Sequence, residues 1–358
     1  MAQRIAVAMS GGVDSSAAAW LLKEQGHDLM GITLTLFDDT SANVPGSAQD
    51  VEDAKAVAAQ LGFPHHVLHM AQCFRSQVMD RFTAAYEAGA TPNPCVVCNR
   101  YIKFGALLEQ AQKLEAQAVA TGHYARISWD EGSGRFLLQK AAHPEKDQSY
   151  VLYALNQAQL AASRFPLGGL SKQEIREIAV AQGLVSARKR ESQDICFVPD
   201  GDYAAFIRRH TGKTYPSGPF VDREGKVLGT HTGIIGYTVG QRRGLGVSSN
   251  QGRLYVKEVR PEDNTVVLCD NQALFSRTLT ANDLNLIALP RLDAPMRLKA
   301  KVRYRHAEQP CLVEQTGEDT IRVTFDQPQR AITPGQAVVL YDGDVVIGGA
   351  TIVEGKEL

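Results

Sequence analysis

Ser10-Gly11-Gly12-Val13-Asp14-Ser15-Ser16 follows an apolar strand pattern, Ile5–Met9, and leads into a helical pattern through Ala17–Gln25. This strand–turn–helix decides the fold. Its two glycines let the backbone approach a ligand closely and present N–H groups to it. Ser15 and Ser16 stand at the helix start, where free N–H groups and the helix dipole attract phosphate. A Walker A loop carries a lysine after its second glycine, and none is present here, so this is a phosphate cradle of another kind.

Outward from the loop, strand and helix patterns alternate. Asp28–Leu36, His65–Met70 and Ala118–Thr121 read as strands; Asp50–Leu61 and Lys103–Glu115 read as helices. Alternation of this kind predicts a parallel sheet covered on both faces, with right-handed crossovers. Ser171-Lys172-Gln173-Glu174 is a capping box that opens a helix through Ala181, stopped at Gly183. Tyr203–His210 reads as a further short helix, and Asp38–Ala48 as a polar loop. Beyond about Thr211 short β-rich runs alternate with turns such as Asp222–Gly225, Ser248–Gly252 and Asp342-Gly343. The expected organisation is an α/β unit over residues 1–205, a small β-rich unit over 206–275 and a β-barrel over 276–358.

Composition narrows the function classes. The 358 residues carry a formal net charge of -1, so a nucleic-acid surface has to come from local clustering of cations. There is no secretory leader pattern and no apolar run near the roughly 20 residues of a membrane span, which predicts a cytoplasmic protein. Six cysteines in a chain of this length are not a disulfide framework. Cys73, Cys269 and Cys311 lie in apolar or helical contexts and read as structural. His65, His66 and His69 lack a carboxylate at useful spacing and read as ordinary packed or surface histidines. His123 follows Gly122 at the end of the fourth strand, where such sheets bind ligands.

The remaining cysteines sit in Thr91-Pro92-Asn93-Pro94-Cys95-Val96-Val97-Cys98-Asn99 and Ser192-Gln193-Asp194-Ile195-Cys196-Phe197. A CxxC pair suits a metal centre or a redox pair, and Cys196 can fold back onto it. The glycine loop resembles that of the PP-loop ATP pyrophosphatases, an adenine-nucleotide-hydrolase type of α/β domain. With Thr121-Gly122-His123-Tyr124, Lys146-Asp147-Gln148-Ser149-Tyr150, Gly240-Gln241-Arg242-Arg243-Gly244 and Arg303-Tyr304-Arg305, the whole chain resembles the tRNA-specific 2-thiouridylases. That resemblance implies an ATP-dependent enzyme that exchanges oxygen for sulfur at C2 of the wobble uridine in tRNAs for Lys, Glu and Gln. It implies tRNA and a sulfur donor or sulfur-relay protein as partners.

By the same resemblance, Ala8, Met9, Ser10, Gly11, Gly12, Val13, Asp14 and Ser15 bind the ATP phosphates, with Mg²⁺. Leu34 and Gly122 line the adenosine pocket. Asn93, Pro94 and Cys95 contact the target base. Cys98 is the nucleophile and Cys196 carries the persulfide sulfur, through a transient disulfide. Lys146, Asp147 and Gln148 touch tRNA, as do Arg303, Tyr304 and Arg305. One departure matters: many members have Asp where this chain has Cys95. A relay needs only two thiols, and a third beside the base is an oxidation liability. Thiolates are the ligands that clusters require, so the sequence favours a four-iron four-sulfur cluster on Cys95, Cys98 and Cys196 over a disulfide relay. Arg297, Lys299, Lys301, Arg303 and Arg305 alternate with Leu298, Ala300, Val302 and Tyr304. On one strand that places every cation on one face, which suits a nucleic-acid backbone.

Overall fold

A computed structural model describes residues 2–37, 47–189, 195–247 and 252–357. Most of the polar loop expected at Asp38–Ala48 lies outside these residues, as do Ser192, Gln193 and Asp194 before Cys196.

The first unit is built on β1 (Arg4–Ala8), α1 (Val13–Glu24), β2 (Asp28–Thr35), α2 (Ala48–Leu61), β3 (His65–His69), α3 (Pro94–Cys98), β4 (Ala118–Ala120), a hairpin of β5 (Ala125–Asp130) and β6 (Arg135–Lys140), β7 (Ser163–Arg164) and α4 (Lys172–Ala181). Five strands form a parallel sheet in the order β3-β2-β1-β4-β7. Alternation along β1 splits the core. Ile5 and Val7 pack with Ala17, Ala18, Leu22 and Val57 on one face. Ala6 packs with Met30, Ile32, Leu107 and Val119 on the other. The alanines of α1 let that helix lie close to the sheet. The chain winds outward on both sides of β1, so a crevice opens between the C-terminal ends of β1 and β4. Gly11 and Gly122 stand at those two ends.

The helix expected at Lys103–Glu115 begins earlier and is wound differently. α3 continues into an i→i+5 turn, Asn99–Ala106, before regular helix resumes at Leu107–Lys113. Gln159 Nε2 donates to the carbonyls of Arg100 and Phe104 at 2.8 Å each, taking over carbonyls within the wide turn.

After α5 (Tyr203–Thr211) come β8 (Gly218–Val221), β9 (Val227–His231), β10 (Tyr255–Arg260) and β11 (Thr265–Cys269), in the order β10-β11-β8-β9. An aromatic core ties this sheet to the first unit. The Phe197 ring lies 5.1 Å from Phe82 and 4.9 Å from Phe206, which anchors the residue next to Cys196.

β12 (Phe275–Leu286), β13 (Met296–Lys301), β14 (Gln309–Gln315), β15 (Ile321–Arg330), β16 (Ala337–Asp342) and β17 (Val345–Glu357) follow. β12 pairs with both β15 and β17, closing these strands into an antiparallel barrel. The sequence reading missed the β5–β6 hairpin, whose β6 pairs with β17 (Val345 with Gln139, Val346 with Leu138) and so grafts part of the first unit onto the barrel.

The basic face needs correction. β13 ends at Lys301, so only Arg297, Lys299 and Lys301 share its outer side. Arg297 is clamped by both oxygens of Asp326. Arg303, past the turn, points inward and donates to the carbonyls of Val239 and Ala331 and to Thr333 Oγ1. Burying a guanidinium requires such partners, and here they brace the barrel against the middle unit. Arg305 is exposed.

Candidate active site

Gly11 has φ +67°, and a Cβ there would lie 2.5 Å from the Asp50 carbonyl oxygen. Only glycine lets the loop pass that close to α2. Ser15 Oγ accepts from Ser10 N at 3.2 Å and donates to Gly12 O at 3.1 Å, which fixes the loop's curvature. No side chain caps the start of α1. By contrast Ser47, Ser171 and Asp202 cap α2, α4 and α5. The first turn of α1 therefore keeps N–H groups for a ligand. A Cβ on Gly122 would meet Asp14 at 2.9 Å, so β4's end is pressed against the same turn. Ala8 and Met9 lead into the loop, and Leu34 lies half-buried on β2. His123 is buried, with Nδ1 2.7 Å from Thr121 Oγ1 and its ring against Phe104 and Phe165. Burial holds it well below the usual histidine range, so it is neutral near pH 7.

The thiols stand where three units meet. Asn93 caps α3, its Oδ1 accepting from Cys95 N at 3.1 Å, and Pro94 is preset for the first helical position. Upstream, Thr91 is bolted on three sides. Its N donates to Pro334 O at 2.8 Å, its carbonyl accepts from Gln336 Nε2 at 2.7 Å, and its hydroxyl lies 3.1 Å from that of Thr238. Cys95 reaches the surface, while Cys98 and Cys196 are half-buried against the aromatic core. All three are free thiols. Burial pushes Cys98 up to about 11 and Cys196 up to about 12, and raises Cys95. The field of Lys103 opposes each shift, and Cys196 feels both other thiols. The structure thus brings the three predicted cysteines together. Among the described residues, however, no group of three Cys, His, Asp or Glu side chains is set to hold a metal ion.

The Lys146–Gln148 turn borders this junction. Asp147 is buried, its carboxylate accepting from Ala141 N, Ser149 N and Ser149 Oγ, so its charge serves the turn itself. Gln148 exchanges two hydrogen bonds with the backbone of Tyr124. Tyr304 donates to the Asp147 carbonyl at 3.2 Å and lies within the electrostatic reach of Cys95.

Residues 3–200 match the sequence model of the tRNA methyl transferase HUP domain, 204–270 its PRC-barrel domain and 276–352 an aminomethyltransferase beta-barrel domain. The tRNA-specific 2-thiouridylase MnmA of Clostridioides difficile (strain 630) is 46% identical over 356 residues, 98% of each chain. The protein of that name from Lachnoclostridium phytofermentans is 46% identical over 358 residues, 98% of this chain and 100% of its own. The chain belongs to the tRNA-specific 2-thiouridylase family. Among solved structures, a 4-thiouridine synthetase–RNA complex with bound ATP aligns over 55% of this chain and 45% of its own at 18% identity and a TM-score of 0.38.

Sequence reasoning missed four residues of this family site. Lys103 lies five residues after Cys98, and in regular helix Ile102 would stand above it; the i→i+5 winding puts Lys103 there instead. Asn99 is buried with its amide nitrogen on Val151 O at 3.0 Å and its Oδ1 unpartnered. Tyr124 and Lys172 converge on Asp14. Tyr124 and Asn99 had a signal, their places in the Thr121–Tyr124 and Thr91–Asn99 blocks.

The thiol environment makes a testable prediction. The reactive form is the thiolate, and raised pKa values keep it scarce at neutral pH. Alkylation of Cys98 should therefore climb about tenfold per pH unit until about pH 11. Lys103→Ala removes the opposing charge, so the rate at pH 8 should fall further. Peptide mass spectrometry after timed iodoacetamide exposure reads both; a plateau near pH 8 would contradict the assigned surroundings.

Proposed function

We propose that this chain catalyses ATP-dependent 2-thiolation of uridine in tRNA, acting at the wobble position of tRNAs for Lys, Glu and Gln. The observation that carries the reading is the joining of an uncapped phosphate-binding helix start and three thiols within one α/β unit that a β-barrel abuts. In the first step the uridine C2 oxygen attacks the α-phosphorus of ATP and pyrophosphate leaves. The N–H groups of the loop stabilise the developing charge. In the second, a sulfur nucleophile attacks C2 and AMP leaves. The base must leave the anticodon stack to reach Cys95. Asp14 is the residue that would hold Mg²⁺, whose charge would be shared with the phosphates.

The thiol chemistry follows from placement. Cys98 and Cys196 are the sulfur carriers, and their burial keeps them protonated and shielded until substrate arrives. Among the described residues no three such side chains are set to hold a single metal ion; Cys95, Cys98 and Cys196 are the thiolates that would hold a four-iron four-sulfur cluster. No step is assigned to it. A sulfur donor or relay protein would load these thiols. The units proposed are residues 1–205 for ATP and catalysis, 206–275 as a central module and 276–358 as the tRNA-binding barrel. No helix among the described residues is long and apolar enough to cross a membrane, and a cytoplasmic setting matches the free thiols. A small-molecule synthetase on the same phosphate loop would have no use for the thiols or the barrel.

The test uses purified protein, unmodified tRNA, ATP, a sulfur donor that carries a persulfide, and a dithiol that reduces the enzyme after each transfer. 2-Thiouridine in the digested tRNA, with matching pyrophosphate release that needs tRNA, is the expected result. Pyrophosphate release onto a small molecule without tRNA would overturn the reading. Binding to tRNA should depend on Lys299 and Arg305, whose side chains are exposed. Lys299→Ala/Arg305→Ala should lower the salt slope of binding by about one per lost phosphate contact. Arg297→Ala should leave the slope unchanged, because Asp326 already neutralises that cation. An equal effect from Arg297→Ala would remove the distinction.

A further inference from the structure

Lys172 opens α4, where an ammonium opposes the helix dipole and an acidic side chain would be favoured. What its side chain reaches explains the placement. Lys172 Nζ lies 2.7 Å from Asp14 Oδ1, and the lysine side chain is only 12% exposed. The hydroxyl of Tyr124, a residue buried behind the loop, donates to the same oxygen at 2.7 Å. Asp14 Oδ2 accepts no hydrogen bond from the described residues.

Asp14 is the second residue of α1, at the end where the phosphate loop delivers its N–H groups. A bare carboxylate there would repel a polyphosphate, and at close range in a half-buried site that repulsion is strong. An ammonium on Oδ1 cancels it. The loop itself carries no lysine, unlike a Walker A loop. We propose that Lys172 supplies the missing cation from a helix 158 residues away in sequence. Without nucleotide it neutralises Asp14. When a triphosphate binds, Nζ moves onto the β- and γ-phosphoryl oxygens, and Tyr124 keeps Asp14 in place. Lys172 is then the residue that distinguishes ATP from AMP and that carries the charge of the departing pyrophosphate. This rests on ATP being the nucleotide of the loop.

Calorimetric titration of the full chain with ATP, AMP and pyrophosphate tests it, alongside tRNA-dependent pyrophosphate release. Lys172→Ala should weaken ATP and pyrophosphate binding by about ten- to a hundredfold, the range for losing a charge-assisted hydrogen bond. AMP binding should stay within about twofold. Lys172→Arg should retain most of the ATP affinity. Asp14→Asn/Lys172→Ala, titrated with ATP in EDTA so that the loss of the Mg²⁺ carboxylate has no bearing, should remain weak. Full recovery of affinity in that double variant would mean that Lys172 only neutralises Asp14, and would overturn the phosphate contact. Equal loss for ATP and AMP, or a lower melting temperature with binding intact, would reduce Lys172 to a structural brace. If the unaltered chain neither binds ATP nor releases pyrophosphate with tRNA, the proposed function fails, a result distinct from any of these.

Discussion

Gly11→Ala should reduce tRNA-dependent pyrophosphate release by about a hundredfold or more, the scale expected when reacting groups shift by about 1 Å. Two costs act together. The left-handed backbone at φ +67° disfavours any side chain by about 1–2 kcal/mol. The new Cβ would also collide with the Asp50 carbonyl at 2.5 Å, so either the loop or the start of α2 must move. Gly26 separates the two. It too is left-handed, at φ +79°, but a Cβ there meets nothing within 4 Å. Gly26→Ala should lower thermal stability by a similar backbone cost and leave pyrophosphate release intact. Ser15→Ala, which removes the bond to Ser10 N, should fall between them while tRNA binding survives. Wild-type release in Gly11→Ala, measured by a coupled phosphate assay, would show that the loop's curvature is not what the phosphates use.

Cys98→Ala and Cys196→Ala should each abolish 2-thiouridine formation while pyrophosphate release continues. Adenylation needs the loop and the base, not the thiols, so removing a thiol uncouples the two half-reactions. Digested tRNA would contain uridine where the unaltered enzyme yields 2-thiouridine. Loss of pyrophosphate release in both variants would place the cysteines in the first step instead. Cys95 decides the form of the sulfur. Reconstitution without oxygen supplies the contrast. Activity that requires iron and falls as far with Cys95→Ala as with Cys98→Ala identifies a cluster. Full activity without iron, with Cys95→Ala harmless, identifies a relay through Cys98 and Cys196.

Much of this was legible in the sequence because it depends on local rules. The glycine loop, the strand–helix alternation and the Ser171–Glu174 box each follow from a short stretch of chain, and the capping box forms as read, with Ser171 and Glu174 exchanging both bonds. The barrel showed in its turn residues. What escaped depends on long-range partners or on helix winding. The β5–β6 hairpin has good strand patterning, yet nothing in residues 125–140 says that its partner is β17. Arg303 sits in an alternating pattern that the strand abandons at Lys301, because its guanidinium is claimed by carbonyls from two other segments. Lys103 faces the thiols only because the helix is overwide, and periodicity of 3.6 hides it. Of the thiols, their gathering was legible, while their protonation was not, since it is set by how the aromatic core closes over them.

The pairing of Val345 with Gln139 also bears on how the chain is made. During synthesis β5 and β6 leave the ribosome long before β17 exists, and one edge of β6 must wait unpaired. An exposed strand edge is a template for wrong partners, and domains that emerge first generally fold first. The first unit can close its parallel sheet at once, since every strand in it lies before residue 165. Its hairpin cannot be satisfied until the barrel arrives. Slow translation between residues 140 and 345 would lengthen that exposure, so the chain should be prone to aggregate when its synthesis stalls there, although in the finished protein β17 pairs with that edge at Leu138 and Gln139.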